Sequence, residues 1–297
     1  MSAPRHFLNG SLLSGLGHAL SCSFFPTACS LCGSLLPRLS EAPICEACWS
    51  EVPPQRESCC ARCGEDLFEP VSNSAAQASY CRACRMAPPA FVRAVSAGVY
   101  EGSMRGAIHA LKYERIAPVA AELGKRLAGA IAQMAEDAPQ EMLVVPVPLH
   151  RGRMTQRGFN QARTVAAEAL KSLRKTHAGW RLELSSRVLM RQRSTESQAG
   201  LTPRQRRQNL RGAFFVSDPE LVNGRHILLV DGIYTTGATT RACSRTLMEA
   251  GAASVRVATV ARAQRRVPLG RRDERKFIRL SLPEHGRNEP DSTGTIH

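Results

Sequence analysis

The sequence has no apolar run as long as the eighteen or so residues a helix needs to cross a bilayer, which excludes a membrane span and leads us to expect a soluble, cytoplasmic protein. Aromatic residues are scarce, at 5%, so extended base-stacking platforms are excluded and any grip on nucleic acid must be mainly electrostatic. Acidic residues are short too: 25 Asp and Glu face 40 Lys and Arg, for a net charge of +15. That balance favours anionic partners such as nucleic acid or phosphorylated small molecules, although a basic but merely soluble surface gives the same number. Disorder is excluded by the 43% hydrophobic content, enough for one full core and a smaller second module.

Cysteine is nearly absent from most of the chain. Of eleven, only Cys243 lies beyond Cys84, in an expected helix where a small buried thiol is the ordinary occupant. The rest mark a domain. Four Cys-x-x-Cys pairs follow one another: Cys29 and Cys32, Cys45 and Cys48, Cys60 and Cys63, Cys81 and Cys84. Two residues between thiols let both face one ion from a tight turn, and two such knuckles complete a tetrahedral site of four thiolates. The gaps of 12 and 17 residues suit two consecutive zinc ribbons. An interleaved pairing, first with third and second with fourth, also satisfies the spacing. Disulfides are the competing account, but without a convincing secretory signal a reducing compartment is expected, where thiolate sites persist. Residues 6–22, HFLNGSLLSGLGHALSC, have a signal-like core broken by Asn9 and His18. Leu8, Leu12, Leu13, Leu16 and Leu20 share one helical face there, the pattern of an amphipathic leader. Cys22 and Cys59 fall outside the pairs and read as spare. Four thiolates leave no place for water, so the sites are structural, and metal supplies much of the stability of so small a module.

After residue 90, strand and helix alternate. Residues 96–100, 142–148, 227–230 and 255–260 read as strands, and 104–113, 118–134, 160–173 and 239–249 as helices. Unbroken Val, Ile and Leu strands between helices predict a parallel sheet covered on both faces, whose ligands lie beyond the carboxyl ends of the strands. The expected organisation is a leader helix (1–21), a cysteine-rich double zinc ribbon (22–90), an α/β domain (91–263) and a basic, disordered polar tail (264–297).

One strand ends in Asp231 and runs through Thr235, Thr236, Gly237, Ala238 and Thr239 into a helix. Backbone N–H groups and hydroxyls at the positive end of a helix dipole form an anion cradle. No Gly-Lys-Ser/Thr follows, so it is not a Walker A loop. LLVDGIYTTGAT resembles the phosphoribosyl pyrophosphate (PRPP) loop of type I phosphoribosyltransferases. Taken in order, the four Cys-x-x-Cys pairs, VVPVPLH, RGFNQA, the arginine- and glutamine-rich LMRQRSTESQAGLTPRQRRQNLRGAF and this loop resemble the ComF family. The likeness runs from about Cys29 to Val260. It implies an N-terminal zinc module on a phosphoribosyltransferase-like domain.

The resemblance implies roles residue by residue. Thr235 to Thr239 would hold a 5′-phosphate, and Asp231 would accept hydrogen bonds from the ribose hydroxyls. Pro146, Val147 and Pro148 would form the pyrophosphate loop. A loop after the third domain strand would bring cations over the pyrophosphate, here Arg191, Arg193, Arg204 and Arg207 among six arginines against one carboxylate in residues 191–211. Mg²⁺ would bridge pyrophosphate and ribose oxygens. The family's loop usually carries two adjacent acidic residues, and the second is Gly232 here. Losing that contact is expected to cost about 1.5–3 kcal/mol of ligand binding, which weakens sugar recognition more than phosphate binding. Arg151, Arg153, Arg157, His150 and Lys112 each read either as ligand contacts or as ordinary surface and structural groups, and Phe159 and Asn160 as packing and capping residues. Functionally, the resemblance implies a protein that handles single-stranded DNA alongside the uptake machinery in natural transformation. A working phosphoribosyltransferase and a PRPP-sensing regulator are the alternatives.

Overall fold

The computed structural model describes residues 28–36, 43–55, 58–67, 79–114, 118–192, 205, 210 and 212–264. The expected leader helix, nearly all of the expected tail, and Arg193, Arg204 and Arg207 lie outside these residues. Among the described residues no helix is long and apolar enough to cross a membrane.

Five strands pair in parallel in the order β1 (Ala94–Ser96), β7 (Ser254–Arg262), β6 (His226–Tyr234), β2 (Glu141–Pro146) and β3 (Arg181–Leu184). The expected α/β architecture, a parallel sheet flanked by helices, is therefore present. Side chains on a strand alternate between faces, and the sheet sorts its apolar residues accordingly. Met142, Val144, Leu228 and Val230 enter one core, packed against α4 (Val119–Ala132) and α6 (Gln161–Thr176). Leu143, Val145, Ile227 and Leu229 enter the other, with Cys243 and Leu247 of α7 (Ala238–Glu249). Cys243 is the buried thiol its surroundings predict.

Each cysteine module joins a different core. The first, with α1 (Glu46–Ser50), contributes Cys29, Ile44, Cys48 and Trp49 to the α4 and α6 side. The second, with α2 (Arg82–Met86), contributes Cys60, Cys63, Cys81 and Cys84 to the α7 side. Neither has enough apolar surface to close a core alone, so each borrows one face of the sheet.

Several elements differ from the sequence reading. The strand expected at 96–100 is β1, two residues earlier; Ala97 and Tyr100 still donate their N–H groups to Thr259 and Arg262, but Gly98 bends against Pro53 and Met104. The helix expected at 104–113 is α3 (Gly102–His109) followed by a π turn, Ala110–Glu114. Residues 151–157, assigned to no strand or helix from the sequence, form α5 (Arg151–Arg157), with His150 as its N-cap accepting from the Gly152 N–H; it buries no side chain, so no apolar period betrays it. An antiparallel pair, β4 (Leu189–Arg191) with β5 (Phe214–Val216), flanks the arginine-rich segment and adds an element to the purely parallel expectation. β3 is an edge strand of sequence RLEL, with Arg181 and Glu183 exposed and Leu182 and Leu184 half-buried against the α4 and α6 core, and lacks the apolar run that marks the central strands.

Asn160 fixes the outlet of β2. Its Oδ1 accepts from the Ala162 and Arg163 N–H groups, capping α6, and its Nδ2 donates 3.0 Å to the Val147 carbonyl.

Candidate functional site

The cysteines pair consecutively. Cys29, Cys32, Cys45 and Cys48 form one cluster and Cys60, Cys63, Cys81 and Cys84 another, with all four sulfurs of each within 4.8 Å of one another. This removes the interleaved alternative. A tetrahedral zinc with Zn–S bonds of about 2.3 Å separates its sulfurs by about 3.8 Å. The observed separations are 3.9 Å for Cys29 and Cys48, 3.6 Å for Cys32 and Cys45, and 3.7 Å for Cys63 and Cys81. Backbone N–H groups of Leu31 and Cys45 donate to Cys29 Sγ. Burial pushes the Cys29 thiol up, but the backbone hydrogen bonds from Cys45, Cys32 and Leu31 outweigh it and bring the pKa down to about 6. Four sulfurs at tetrahedral spacing, with Cys29 poised to lose its proton, fit zinc and fill its coordination.

The anion loop sits where β6 ends. Thr235 to Gly237 form a bend, and α7 starts at Ala238. Gly237 is its N-cap, with φ +72°, and brings no side chain to cap the first-turn N–H groups. The Thr236 hydroxyl oxygen is buried without a hydrogen-bond partner among the described residues. Open amides, an unpartnered hydroxyl and the helix dipole together suit an oxyanion.

Asp231, four residues before the bend, is partly buried, and its Oδ1 accepts a 2.7 Å hydrogen bond from the Gly232 N–H. Burial pushes its pKa up, while that N–H and the cations of Lys112 and Arg191 pull it back. Nothing lies within 4 Å of a Cβ built on Gly232. Packing therefore does not demand glycine there, and the missing second carboxylate is a chemical difference, not a steric one.

A cavity of about 380 Å³ opens above these groups. Of the expected ligand residues, Val147, Pro148, Arg191, Asp231, Thr235 and Thr239 line it. Pro146, Thr236, Gly237 and Ala238 do not: Pro146 is held inside the sheet opposite Val230, and the other three form the bend and helix start behind the wall. Arg191 is the last residue of β4, not part of a loop, and its guanidinium stacks 5.5 Å from the Phe214 ring centroid. Arg153, Arg157 and Lys112 also face the cavity, whereas Arg151 and His150 do not. Burial lowers the Lys112 pKa to about 8; Asp231 opposes the shift, and Arg157 and Arg153 add to it. A second cavity of about 560 Å³, between the second cysteine module and α4, contains no residue of the loop.

Gln161, Tyr100 and Tyr113 also line the site, unnoticed in the sequence. Arg157 Nη1 donates 3.1 Å to Gln161 Oε1, which turns the amide so that its buried Nε2 is left without a partner among the described residues. The signal was there in RGFNQ, since a glutamine directly after a helix cap at a strand outlet sits at the ligand edge. The tyrosines offered no local signal; chain folding alone brings them there.

Residues 20–85 match the double zinc ribbon domain and residues 156–280 the phosphoribosyl transferase domain. The DNA utilization protein YhgH of Salmonella typhi is 32% identical over 234 residues, which cover 78% of this chain and 95% of that protein. Competence protein F of Haemophilus influenzae is 26% identical over 245 residues, 81% of this chain and 99% of that one. The chain belongs to the ComF family. Competence protein ComFC of Bacillus subtilis matches a shorter stretch of this ComF-family chain, at 33% identity over 42% of it and 46% of the relative. The allosteric regulatory enzyme of purine biosynthesis overlays 49% of this chain and 26% of its own, at 22% identity and a TM-score of 0.30.

As a double zinc ribbon, the purified ComF-family chain should carry two zinc ions, one per tetrad. Elemental analysis finding less than one per chain would remove the zinc assignment.

Proposed function

We propose that this chain binds PRPP, or a closely related 5-phosphoribosyl ligand, in the cavity above Asp231, and that it serves the handling of single-stranded DNA in natural transformation. The observation that carries the first part is the convergence, on one cavity, of a helix start without a side-chain cap, a partly buried carboxylate and four cationic side chains. A 5′-phosphate accepts from the first-turn N–H groups of α7 and the Thr235 and Thr239 hydroxyls. Asp231 then faces the ribose hydroxyls, already oriented by the Gly232 N–H. Beyond the sugar, the ends of β2 at Val147 and Pro148, with Lys112, Arg153, Arg157 and Arg191, meet the pyrophosphate. Mg²⁺ bound with the ligand would neutralise part of the pyrophosphate charge beside Asp231.

If the anomeric C–O bond breaks, pyrophosphate leaves with the electron pair, and the same cations stabilise it. One carboxylate instead of two beside the ribose favours binding over turnover. The reading of DNA handling rests on the names of the relatives, a DNA utilization protein and a competence protein, and on the net charge of +15, which suits a phosphate backbone.

Titration calorimetry with PRPP and Mg²⁺ is expected to show binding that Asp231→Ala weakens by roughly tenfold or more, as the loss of one charge-assisted contact implies. Lys112 is cationic below its pKa of about 8, so affinity should fall as pH rises from 7 to 9. No heat at millimolar PRPP would end the ligand reading. For DNA, the affinity for a single-stranded oligonucleotide should drop steeply as salt rises; an affinity indifferent to salt would rule out an electrostatic grip.

A further inference from the structure

The second ribbon reaches the anion loop through a short stack of side chains. Arg262, the last residue of β7, is 1% exposed. One of its nitrogens, Nη2, pairs with Glu65 and lies 3.7 Å from Cys63 Sγ, both in the second ribbon. The other two, Nε and Nη1, have no hydrogen-bond partner among the described residues. Its guanidinium carbon lies 4.3 Å from the centroid of the Tyr234 ring. Register makes that contact inevitable, because Tyr234 and Arg262 are partners across β6 and β7. Tyr234 in turn backs the loop: a Cβ on Gly237 would fall 2.2 Å from its phenol oxygen. The loop backbone therefore rests on a phenol, the phenol on a guanidinium, and the guanidinium on Glu65 and a zinc-ligand sulfur.

A second strut runs beside the first. Arg241, in the first turn of α7, donates 2.6 Å to the Ala87 carbonyl just after α2 and lies 3.8 Å from Cys84 Sγ. Both arginines belong to the phosphoribosyltransferase-like part, and both point at the second tetrad. A buried guanidinium is costly unless its charge is met, and here the ribbon meets it. Among the described residues the first ribbon shows no such path: Cys29, Cys45 and Cys48 join the opposite core, whereas Tyr234 and Ala238 share a core with all four cysteines of the second.

We propose that Arg262 and Tyr234 are positioning residues that tie the anion loop to the second ribbon, so that an intact second metal site, and not the first, holds the loop in its binding geometry. The inference rests on the loop being the phosphate site, but the order of the loop is measurable without any ligand.

The experiment is hydrogen–deuterium exchange of the full-length zinc-loaded chain, following the peptide that covers residues 234–242. Cys81→Ser in the second ribbon should raise exchange there about fivefold or more, as local opening does, while Cys32→Ser in the first leaves it unchanged. Arg262→Gln should raise it with both ribbons intact in sequence, and Arg262→Lys should restore it in part. Tyr234→Leu guards against a variant that fails to fold: two zinc ions per chain and an unshifted melting transition, with faster loop exchange, separate positioning from general loosening. Equal exchange in wild type, Arg262→Gln and Tyr234→Leu would overturn the inference, as would equal acceleration by Cys32→Ser and Cys81→Ser. Calorimetry with PRPP and Mg²⁺ on the wild type judges the phosphate reading separately: no binding there overturns that reading, while the exchange data still decide the coupling.

Discussion

Parallel pairing of β2, β6 and β7 is the constraint on which the ligand end of the molecule depends. Parallel strands send all their carboxyl ends to one edge, and the register here sets Pro146 opposite Val230, Asp231 opposite Thr259, and Tyr234 opposite Arg262. The outlet of β2, the carboxylate and the bend before α7 thereby arrive together at one edge, where the Val147 N–H donates to the Val230 carbonyl. Asn160 then joins that edge to α6 by bonding the Val147 carbonyl, and the π turn 110–114 brings Lys112 in from the side.

The same sheet explains why a metal module belongs to this fold. A five-stranded sheet with two apolar faces needs cover on both, and the ribbons supply part of each: Trp49 and Ile44 on one side, the second tetrad on the other. The ribbons are thus structural twice over, as metal sites and as core. Their charge is used as well. Arg262 is a fully buried cation in a strand of sequence SVRVATVAR, and it is tolerable there because Glu65 and the sulfur of Cys63 face it.

Local chemistry decided what could be read in advance. The Cys-x-x-Cys spacing, the central apolar strands, the Asn160 cap and the 235–239 bend each carry their signal within a few residues, and each appears in the structure at or near its expected place. Edge and surface elements carry less: β3 is four residues of alternating exposed charge and half-buried leucine, and α5 buries nothing. Tyr100 and Tyr113 belong to the cavity through long-range folding, and Arg262 ends β7 two residues past the strand expected at 255–260. Gly232 sharpened differently. The residue could be recognised as a departure in the sequence, but only the open space around it distinguishes a chemical change from a steric need.

The central claim is that the end of β6 seats a sugar phosphate, with phosphate on α7 and ribose on Asp231. A crystal structure with ribose 5-phosphate tests it most directly. The account predicts the phosphate within hydrogen-bonding reach of the Ala238 and Thr239 N–H groups and a ribose hydroxyl on the Asp231 carboxylate. A phosphate seated on Arg153 and Arg157, with the 235–239 bend empty, would contradict it.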